Sequence, residues 1–586
     1  MCGIYGITAK DPEFIKNFIE VCKHRGPDGE SVWWDETVTL GHNLLSIMAN
    51  PDLSRQPWKT PKGNMLVYNG EIFNYYELKE KYNGKGFAGI TGCDTELLAW
   101  GLDEFGLDFI DEIDSMHGFA YYEVDKKQIT LSRDHAGIKP VYYAETKEGL
   151  IFGSEIKGML DKIPGSRTVD RLAMSCLAWT GINATRNTVF SGIKKLLAGE
   201  TMIYNIENKK FIETKRVFIK STSNHKFNSS EFRDMAKKTV EMCSIGKRKI
   251  GVFLSGGLDS SLIAHELNKL KGPAVTFTNE MVPNVVTEEN FNSDANAAAV
   301  LAKVEKYDHN VVRITPDNVM ENWDDAIYYM EQPMYNQSVA MYCYTNKVLH
   351  NNGIVITMAG DMGDEILGGY PKYWKMTQPD YLKKMIGKRQ IESWDDVISL
   401  WMQRIKRPLA GLVMGGDLSK QEIHNEIKKC YPDDLWNPDD PVASYMALDC
   451  VTQVPEEFFN RNDKYGMAYG MEGRFPLATK MFMKYCLSIH SSEKIGVNKS
   501  QTKLPTKIAY KGIMPKHIIN KEKTGWTVPL GYWLTSNTNS KLKEFYNKAL
   551  KDKGGLDIIK ASQKAGKALV PSWIVSDWIK KYRMKI

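Results

Sequence analysis

The stretch Lys249–Leu270, "KIGVFLSGGLDSSLIAHELNKL", decides how the larger half of the chain is read. A short apolar run, Ile250–Leu254, gives way to paired glycines and then to a helical pattern. That order predicts a buried strand, a tight turn and a helix. Gly256 and Gly257 let the backbone turn sharply and come close to a phosphate. The helix N-terminus adds free N–H groups and partial positive charge at the same place. Ser255, Ser260 and Ser261 add hydroxyl donors. Asp259 is out of place in an anion cradle unless it holds Mg2+ against the phosphates. No loop lysine is present, so this is not a GxxxxGK[ST] site. A glycine turn capped by Ser and Asp would explain the same residues without a ligand. The strand–loop–helix context favours a nucleotide.

Outward from this loop, "MAGDMGDEILGGY" (358–370) follows the strand-like "GIVIT". In an open parallel sheet, ligands bind beyond the carboxyl ends of the strands, so both motifs are expected to face one crevice. Asp361, Asp364 and Glu365 bring carboxylates there, and Asp259 with Asp364 can share Mg2+. An acidic helix N-terminus is the bland alternative. "GPAVTFTN" and "DHNVVRIT" read as further buried strands with helical stretches between, which predicts an α/β domain with a parallel sheet. From about 371 onward the pattern is mostly helix and loop. Lys523, in "NKEKTGWTVPLGYWL", stands among aromatics, where a lone lysine is ordinarily solvated.

The first 215 residues have a different texture. "SVWWDETVTLGH", "NMLVYNGEI", "GFAYYEV", "QITLSRD", "VYYAE", "LIFGSE" and "ETMIYNI" are short strand-like runs separated by turn residues. They predict stacked antiparallel sheets with a few helices, an α+β sandwich. A polar, aperiodic segment at about 216–230 reads as a linker. At the start, "MCGIYGI" places Cys2 directly behind the initiator methionine.

Composition narrows the class. The 586 residues suggest about four domains by length alone. Hydrophobic residues make up 42% and charged residues 25%, an ordinary globular balance. No apolar run approaches the ~18 residues of a membrane span. Lys10 and Asp11 end the first apolar stretch too early for a secretory signal, so a soluble, cytoplasmic protein is expected. A net charge of +6 over this length implies no nucleic-acid field. The basic end "IKKYRMKI" reads as a solvated tail. Of nine cysteines, no two lie close enough for a CxxC metal or redox pair, and all but Cys2 read as small core residues.

"SGGLDSS", "GDMGDEILGGY", "YGMEGRFPL" and "KEKTGWTVPLGYWL", in this order behind "MCGIYGI", resemble the glutamine-dependent asparagine synthetases over essentially the whole chain. The resemblance implies a class II glutamine amidotransferase domain at 1–215, of N-terminal-nucleophile type, a linker at 216–230 and an ATP pyrophosphatase domain at 231–586 with a largely helical end. It implies that Met1 is removed and that Cys2 attacks glutamine. An α-amine of pKa ~7.7–8.0, against ~10.4 for lysine, suits a proton relay on that same residue. Asn69 and Gly70 match the family's oxyanion hole, although "YNGEI" alone would read as a hairpin turn. Glu71 and Asp94 match the groups that hold the substrate's amine, and Arg25 is expected beside this pocket. In the second half the resemblance implies ATP binding by Ser255, Gly256, Gly257, Asp259, Ser260 and Gly360, and Mg2+ held by Asp259 and Asp364. Asp361 and Lys523 are the implied catalytic residues, Lys523 steadying charge on the phosphates. The implied chemistry is glutamine hydrolysis, passage of ammonia through an internal tunnel, and amidation of β-aspartyl-AMP. Implied partners are glutamine, aspartate and ATP, with neither nucleic acid nor membrane, and a homodimer as a family expectation.

The sequence also departs from the family. "GHNLLSI" has Leu44 where an arginine usually grips the glutamine carboxylate, a bidentate pairing leucine cannot make. Arg25 or Arg55 would have to substitute, or glutamine binds weakly. Ala359 and Met362 stand where Ser and Gly are common, Asp361 where Glu is usual, and Gly473 and Thr479 are likewise atypical. These differences keep open a relative that amidates another carboxylate, on a sugar, peptide or antibiotic precursor. An RNA-modifying ATP pyrophosphatase would need a basic face or a zinc or cysteine pair, and neither is visible. A non-catalytic descendant would have no need of Cys2, Asn69, Asp94, Asp259, Asp364 and Lys523 together.

Overall fold

The strand Met65–Ile72 shows how the first half is built. Its Met65 and Val67 enter one apolar cluster, and its Leu66 and Tyr68 enter another. Side chains alternate along a strand, so a strand apolar on both faces must be covered on both. One face meets a second sheet, and the other meets the helices Tyr75–Tyr82 and Asp94–Phe105. The computed structural model describes residues 2–283, 291–334, 336–403, 418–521, 528–535, 540–551 and 569–585.

Two six-stranded sheets stack in this half. The first runs, in spatial order, Lys194–Lys195, Tyr142–Glu145, Leu150–Gly153, Gly3–Ile7, Thr39–Leu44 and Gly29–Trp34. The second runs Lys210–Arg216, Glu200–Asn205, Gln128–Arg133, Ser115–Glu123, Met65–Ile72 and Trp58–Lys59. All their pairings are antiparallel. Ile4, Leu40 and Phe152 of one sheet pack with Val67, Ala120 and Leu131 of the other, all fully buried. Gly3–Ile7 is an inner strand, so the chain's beginning is clamped between two neighbours.

The second half holds a five-stranded parallel sheet in the order Asp308–Ile314, Val275–Met281, Ile250–Phe253, Ile356–Met358 and Glu472–Arg474. The chain builds outward from Ile250–Phe253 in one direction and then crosses to Ile356–Met358 in the other. The strand order therefore reverses between these two neighbours, and a ligand crevice is expected at their carboxyl ends. Both quoted loops leave the sheet there.

Two sequence expectations are corrected. Glu472–Arg474 lies in a region read as helix and loop, yet it is the fifth strand. Three residues, two of them charged, carry no apolar alternation; burial against the other half makes them a strand. The basic C-terminal end is not a loose tail. The helix Leu569–Tyr582 buries Trp573, Trp578 and Tyr582. The Lys585 N–H donates to the Arg167 carbonyl at 2.6 Å, and the Val169 N–H to the Lys585 carbonyl at 2.9 Å. Its lysine side chains and Arg583 are exposed. All nine cysteines are buried and free. Among the described residues, no helix is long and apolar enough to cross a membrane.

Candidate active site

Cys2 immediately precedes the inner strand Gly3–Ile7 and is 8% exposed. Its backbone N–H donates to Asn69 Oδ1 at 3.0 Å, and its thiol points to the Leu45 carbonyl at 3.9 Å. Burial pushes the thiol pKa up. Asn69 lies in mid-strand, paired with Gly118, which rules out the hairpin-turn reading of Asn-Gly. With Oδ1 engaged by Cys2, Asn69 Nδ2 is buried and without a hydrogen-bond partner. A buried donor left unmade is costly, and it is what an oxyanion site keeps in reserve. Gly70 must be glycine because a Cβ there would sit 2.2 Å from the Met116 carbonyl oxygen.

A narrow cavity of about 30 Å³ opens beside the thiol, lined by Cys2, Leu44, Gly70, Glu71, Asp94 and Glu472 among others. Asp94 begins the helix Asp94–Phe105 and accepts from the Tyr68 hydroxyl at 3.0 Å and the Ile72 N–H at 3.1 Å. Burial nevertheless raises its pKa. Burial raises Glu71 further, well above the usual carboxylate range, despite its 3.0 Å ion pair with Arg474.

Arg25 stands beside Cys2 but is not a wall of the pocket. Its Nε donates to the Cys2 carbonyl at 3.2 Å, Nη1 to Glu155 at 3.0 Å, and both Nη atoms to Asp463 at 2.9 and 3.2 Å. A guanidinium so engaged steadies Cys2 from behind and joins the two halves of the chain. Arg55 pairs with Asp52 with its side chain 73% exposed. Neither arginine replaces the one missing at Leu44. Sequence reasoning missed Glu472, which lines this pocket from the second half, and Arg474, which pairs with Glu472 and Glu71 without lining it. They are two residues apart on one strand and therefore share a face. The available signal was the motif "YGMEGRFPL", which carries the resemblance but was given no site role.

The second cavity, about 290 Å³, lies at the strand-order reversal. Ser255, Gly257, Asp259 and Ser260 line it from one loop; Gly360, Asp361, Asp364 and Glu365 line it from the other. Gly256 shapes the first loop without lining the cavity. Its φ is +65°, and a Cβ would meet the Ala298 nitrogen at 2.7 Å. Ser255 N–H donates to Ser260 Oγ at 3.2 Å, and the two hydroxyls are 3.1 Å apart. Asn462 Nδ2 donates to Asp361 Oδ2 at 3.2 Å. The Arg461 guanidinium, also in the lining, lies 3.8 Å from the Tyr342 ring centroid. Lys523 lies outside the described residues.

Between Asp259 and Asp364 sits a residue the sequence reading missed. Lys503 Nζ pairs with Asp259 and with Asp364 Oδ1, the latter at 2.6 Å. Two carboxylates from two loops thus converge on one cationic point. Hard carboxylate oxygens in this arrangement suit Mg2+, which binds through one or two carboxylates and fills its remaining positions with phosphate oxygens and water. Among the described residues no group of three or more His, Cys, Asp or Glu side chains could hold a metal by itself. Asp259 and Asp364 together offer two carboxylates, which fits a metal whose other positions are taken by phosphate oxygens and water. The departures have local consequences. Met362, in a glycine's usual place, takes φ +81°. Thr479 caps the helix Lys480–Ser488 by accepting from the Phe482 N–H, as an aspartate would.

The comparisons agree with this two-site arrangement. Residues 1–216 match the family model for a glutamine amidotransferase domain, and residues 231–575 match that for asparagine synthase. The glutamine-hydrolyzing asparagine synthetase 1 of Bacillus subtilis (strain 168) is 23% identical over 94% of this chain and 91% of its own length. The glutamine-hydrolyzing asparagine synthetase B of Escherichia coli (strain K12) is 23% identical over 91% of this chain and 83% of its own. Among solved structures, a glutamine phosphoribosylpyrophosphate amidotransferase from B. subtilis matches 47% of this chain and 65% of its own, at 16% identity and TM-score 0.28. By the models that cover its two parts, the chain belongs to the asparagine synthase family and carries a glutamine amidotransferase domain at its N-terminal end.

Proposed function

We infer that the chain is an asparagine synthetase that takes its nitrogen from a glutamine side chain. The boundaries proposed are an amidotransferase domain at 1–215, a linker at 216–230 and an ATP-dependent synthetase domain at 231–586. With Met1 removed, the Cys2 amine takes the thiol proton while the sulfur adds to the amide carbonyl. Asn69 Nδ2 and the Gly70 N–H receive the oxyanion. Glu71 and Asp94 hold the substrate's ammonium group. Nitrogen leaves as ammonia, and water then cleaves the thioester.

In the second cavity an oxygen of the aspartate side-chain carboxylate attacks the α-phosphate of ATP and pyrophosphate departs. The turn at Ser255–Ser260 and Gly360 cradles the phosphates. Asp259 and Asp364 would hold Mg2+, whose charge offsets that of the leaving pyrophosphate. Lys503 supplies a further positive charge at that place, and Lys523 is proposed for the same task. Asp361 is proposed to orient the acceptor or the incoming ammonia. Ammonia adds to the acyl carbon of β-aspartyl-AMP, and AMP leaves. Leu45, Ile47, Ile356 and Met467 form one apolar cluster that joins the Cys2 pocket to the parallel sheet. Such a lining suits neutral ammonia over ammonium.

The observation that carries this reading is the convergence of Asp259 and Asp364 on one cationic point beside the glycine turn. The test is pyrophosphate release from ATP with aspartate and a panel of other carboxylates, using ammonium as nitrogen source. Aspartate-dependent pyrophosphate matched by asparagine is the expected result. Release with a different carboxylate only would move the chain to the other acceptor class.

A further inference from the structure

The pocket beside Cys2 carries an excess of acid and, among its described lining residues, no cation to pair with a carboxylate. Glu71, Asp94 and Glu472 line it, at 2%, 5% and 0% exposure. None of its described lining residues is Lys, Arg or His. Arg474, which pairs with two of the three acids, is spent. Its Nε donates to Glu472 at 2.6 Å, its Nη2 to Glu71 at 3.0 Å, and its Nη1 to the carbonyls of Cys243 and Ile245 at 2.8 and 2.5 Å. Arg25 is equally engaged, with the Cys2 carbonyl, Glu155 and Asp463. Where a carboxylate grip was expected, Leu44 and Met48 give the wall buried apolar surface.

Free glutamine brings one ammonium and one α-carboxylate. The ammonium finds partners here. The carboxylate meets acids and an apolar wall, with only the neutral hydroxyl and amide groups of Ser46, Ser54, Gln56 and Thr95 to offset them, and this penalises it. We propose that the amide donor for this pocket bears a free amine and a neutral group in place of glutamine's α-carboxylate: a glutamine whose carboxyl is capped, as at the N-terminus of a peptide. This rests on the reading of Cys2 as the amide-hydrolysing nucleophile. The chemistry is unchanged and balances. The Cys2 sulfur bonds to the γ-carbonyl carbon, the carbon–nitrogen bond breaks, and the nitrogen leaves as ammonia with the thiol's proton. Water then cleaves the carbon–sulfur bond, returning a proton to the thiol and leaving a γ-carboxyl group on the capped product.

The full-length protein would be assayed for ammonia release from L-glutamine, from the α-(N-methyl)amide of L-glutamine and from glutaminylglycinamide. Mass spectrometry would confirm hydrolysis at the γ position, and Cys2→Ala would serve as the blank. Both capped amides should exceed glutamine in kcat/KM by about tenfold or more, and Leu44→Arg should move the ratio toward glutamine. The wild-type ratio decides the matter even if Leu44→Arg misfolds. A wild-type kcat/KM for glutamine equal to or above that for the capped amides overturns this proposal and leaves the nucleophile assignment standing. If no amide releases ammonia while ammonium still drives amide synthesis, the Cys2 reading itself fails, and this proposal with it.

Discussion

Asn69→Ala isolates the first half-reaction. The substitution removes two interactions at once. The Nδ2 group, buried and without a hydrogen-bond partner, is the donor proposed for the oxyanion. Losing one such donor costs about 10²–10³ in kcat, roughly 2.7–4 kcal/mol. The Oδ1 atom accepts the Cys2 N–H at 3.0 Å. Losing that bond costs about 0.5–1.5 kcal/mol, a further factor of about 2 to 10 through a less well-placed amine. Amide-driven turnover should therefore fall between about 200-fold and 10,000-fold. Ammonium-driven amide synthesis bypasses Cys2 and should stay within about twofold. The assay is parallel measurement of ammonia release from the amide donor and of amide product from ammonium, on protein whose melting temperature is checked. An amide-driven loss smaller than about tenfold would refute the assignment of Nδ2. So would an equal loss in the ammonium-driven reaction, because the effect would then be structural.

Other expectations follow from single contacts. Lys503→Met removes the cation between Asp259 and Asp364; amide synthesis from either nitrogen source should fall about 10²-fold or more while amide hydrolysis persists, and isothermal titration should detect tighter Mg2+ binding in the absence of nucleotide. Arg474→Met leaves Glu71 and Glu472 buried without their partner and should destabilise the protein by about 3–5 kcal/mol in chemical denaturation. Glu365 is raised to about 8 by burial and by the charges of Asp364 and Asp449. The folded state thus keeps a proton that the unfolded chain releases near pH ~4.3. This stabilisation is full below that value and is lost as pH rises toward 8. Glu365→Gln should therefore gain in melting temperature over the wild type progressively between pH 5 and 8; a constant difference would show that Glu365 is ionised throughout.

Most of the antiparallel sandwich was legible because most of its strands are apolar at alternate or at all positions, which local patterning reports directly; the short strands Trp58–Lys59 and Lys194–Lys195 and the charged, mostly exposed Lys210–Arg216 were not. The first four strands of the parallel sheet were legible for the same reason. Glu472–Arg474 was not, because a strand of two charged residues and a glycine exists only through its partners. The site residues divide in the same way. Loop glycines, Asp259 and Asp364 carry their chemistry in local motifs. Lys503 does not: it meets Asp259 across 244 positions of sequence. The engagement of Arg25 was not legible because its partner Asp463 lies 438 positions away. A lysine or arginine reads as solvated until the chain that surrounds it is known. Leu44 was readable as a missing arginine, but the acids that surround the vacated grip come from both halves of the chain.

The central claim is that the second cavity activates the aspartate side chain as an adenylate. Its most direct measurement uses aspartate with heavy oxygen in the β-carboxylate, incubated with ATP, Mg2+ and ammonium. If the carboxylate attacks the α-phosphate, one labelled oxygen must stay on phosphorus when ammonia displaces AMP. The account predicts AMP carrying one heavy oxygen, unlabelled pyrophosphate and asparagine in equal amount. Label in inorganic phosphate, or asparagine formed with unlabelled AMP, would contradict it.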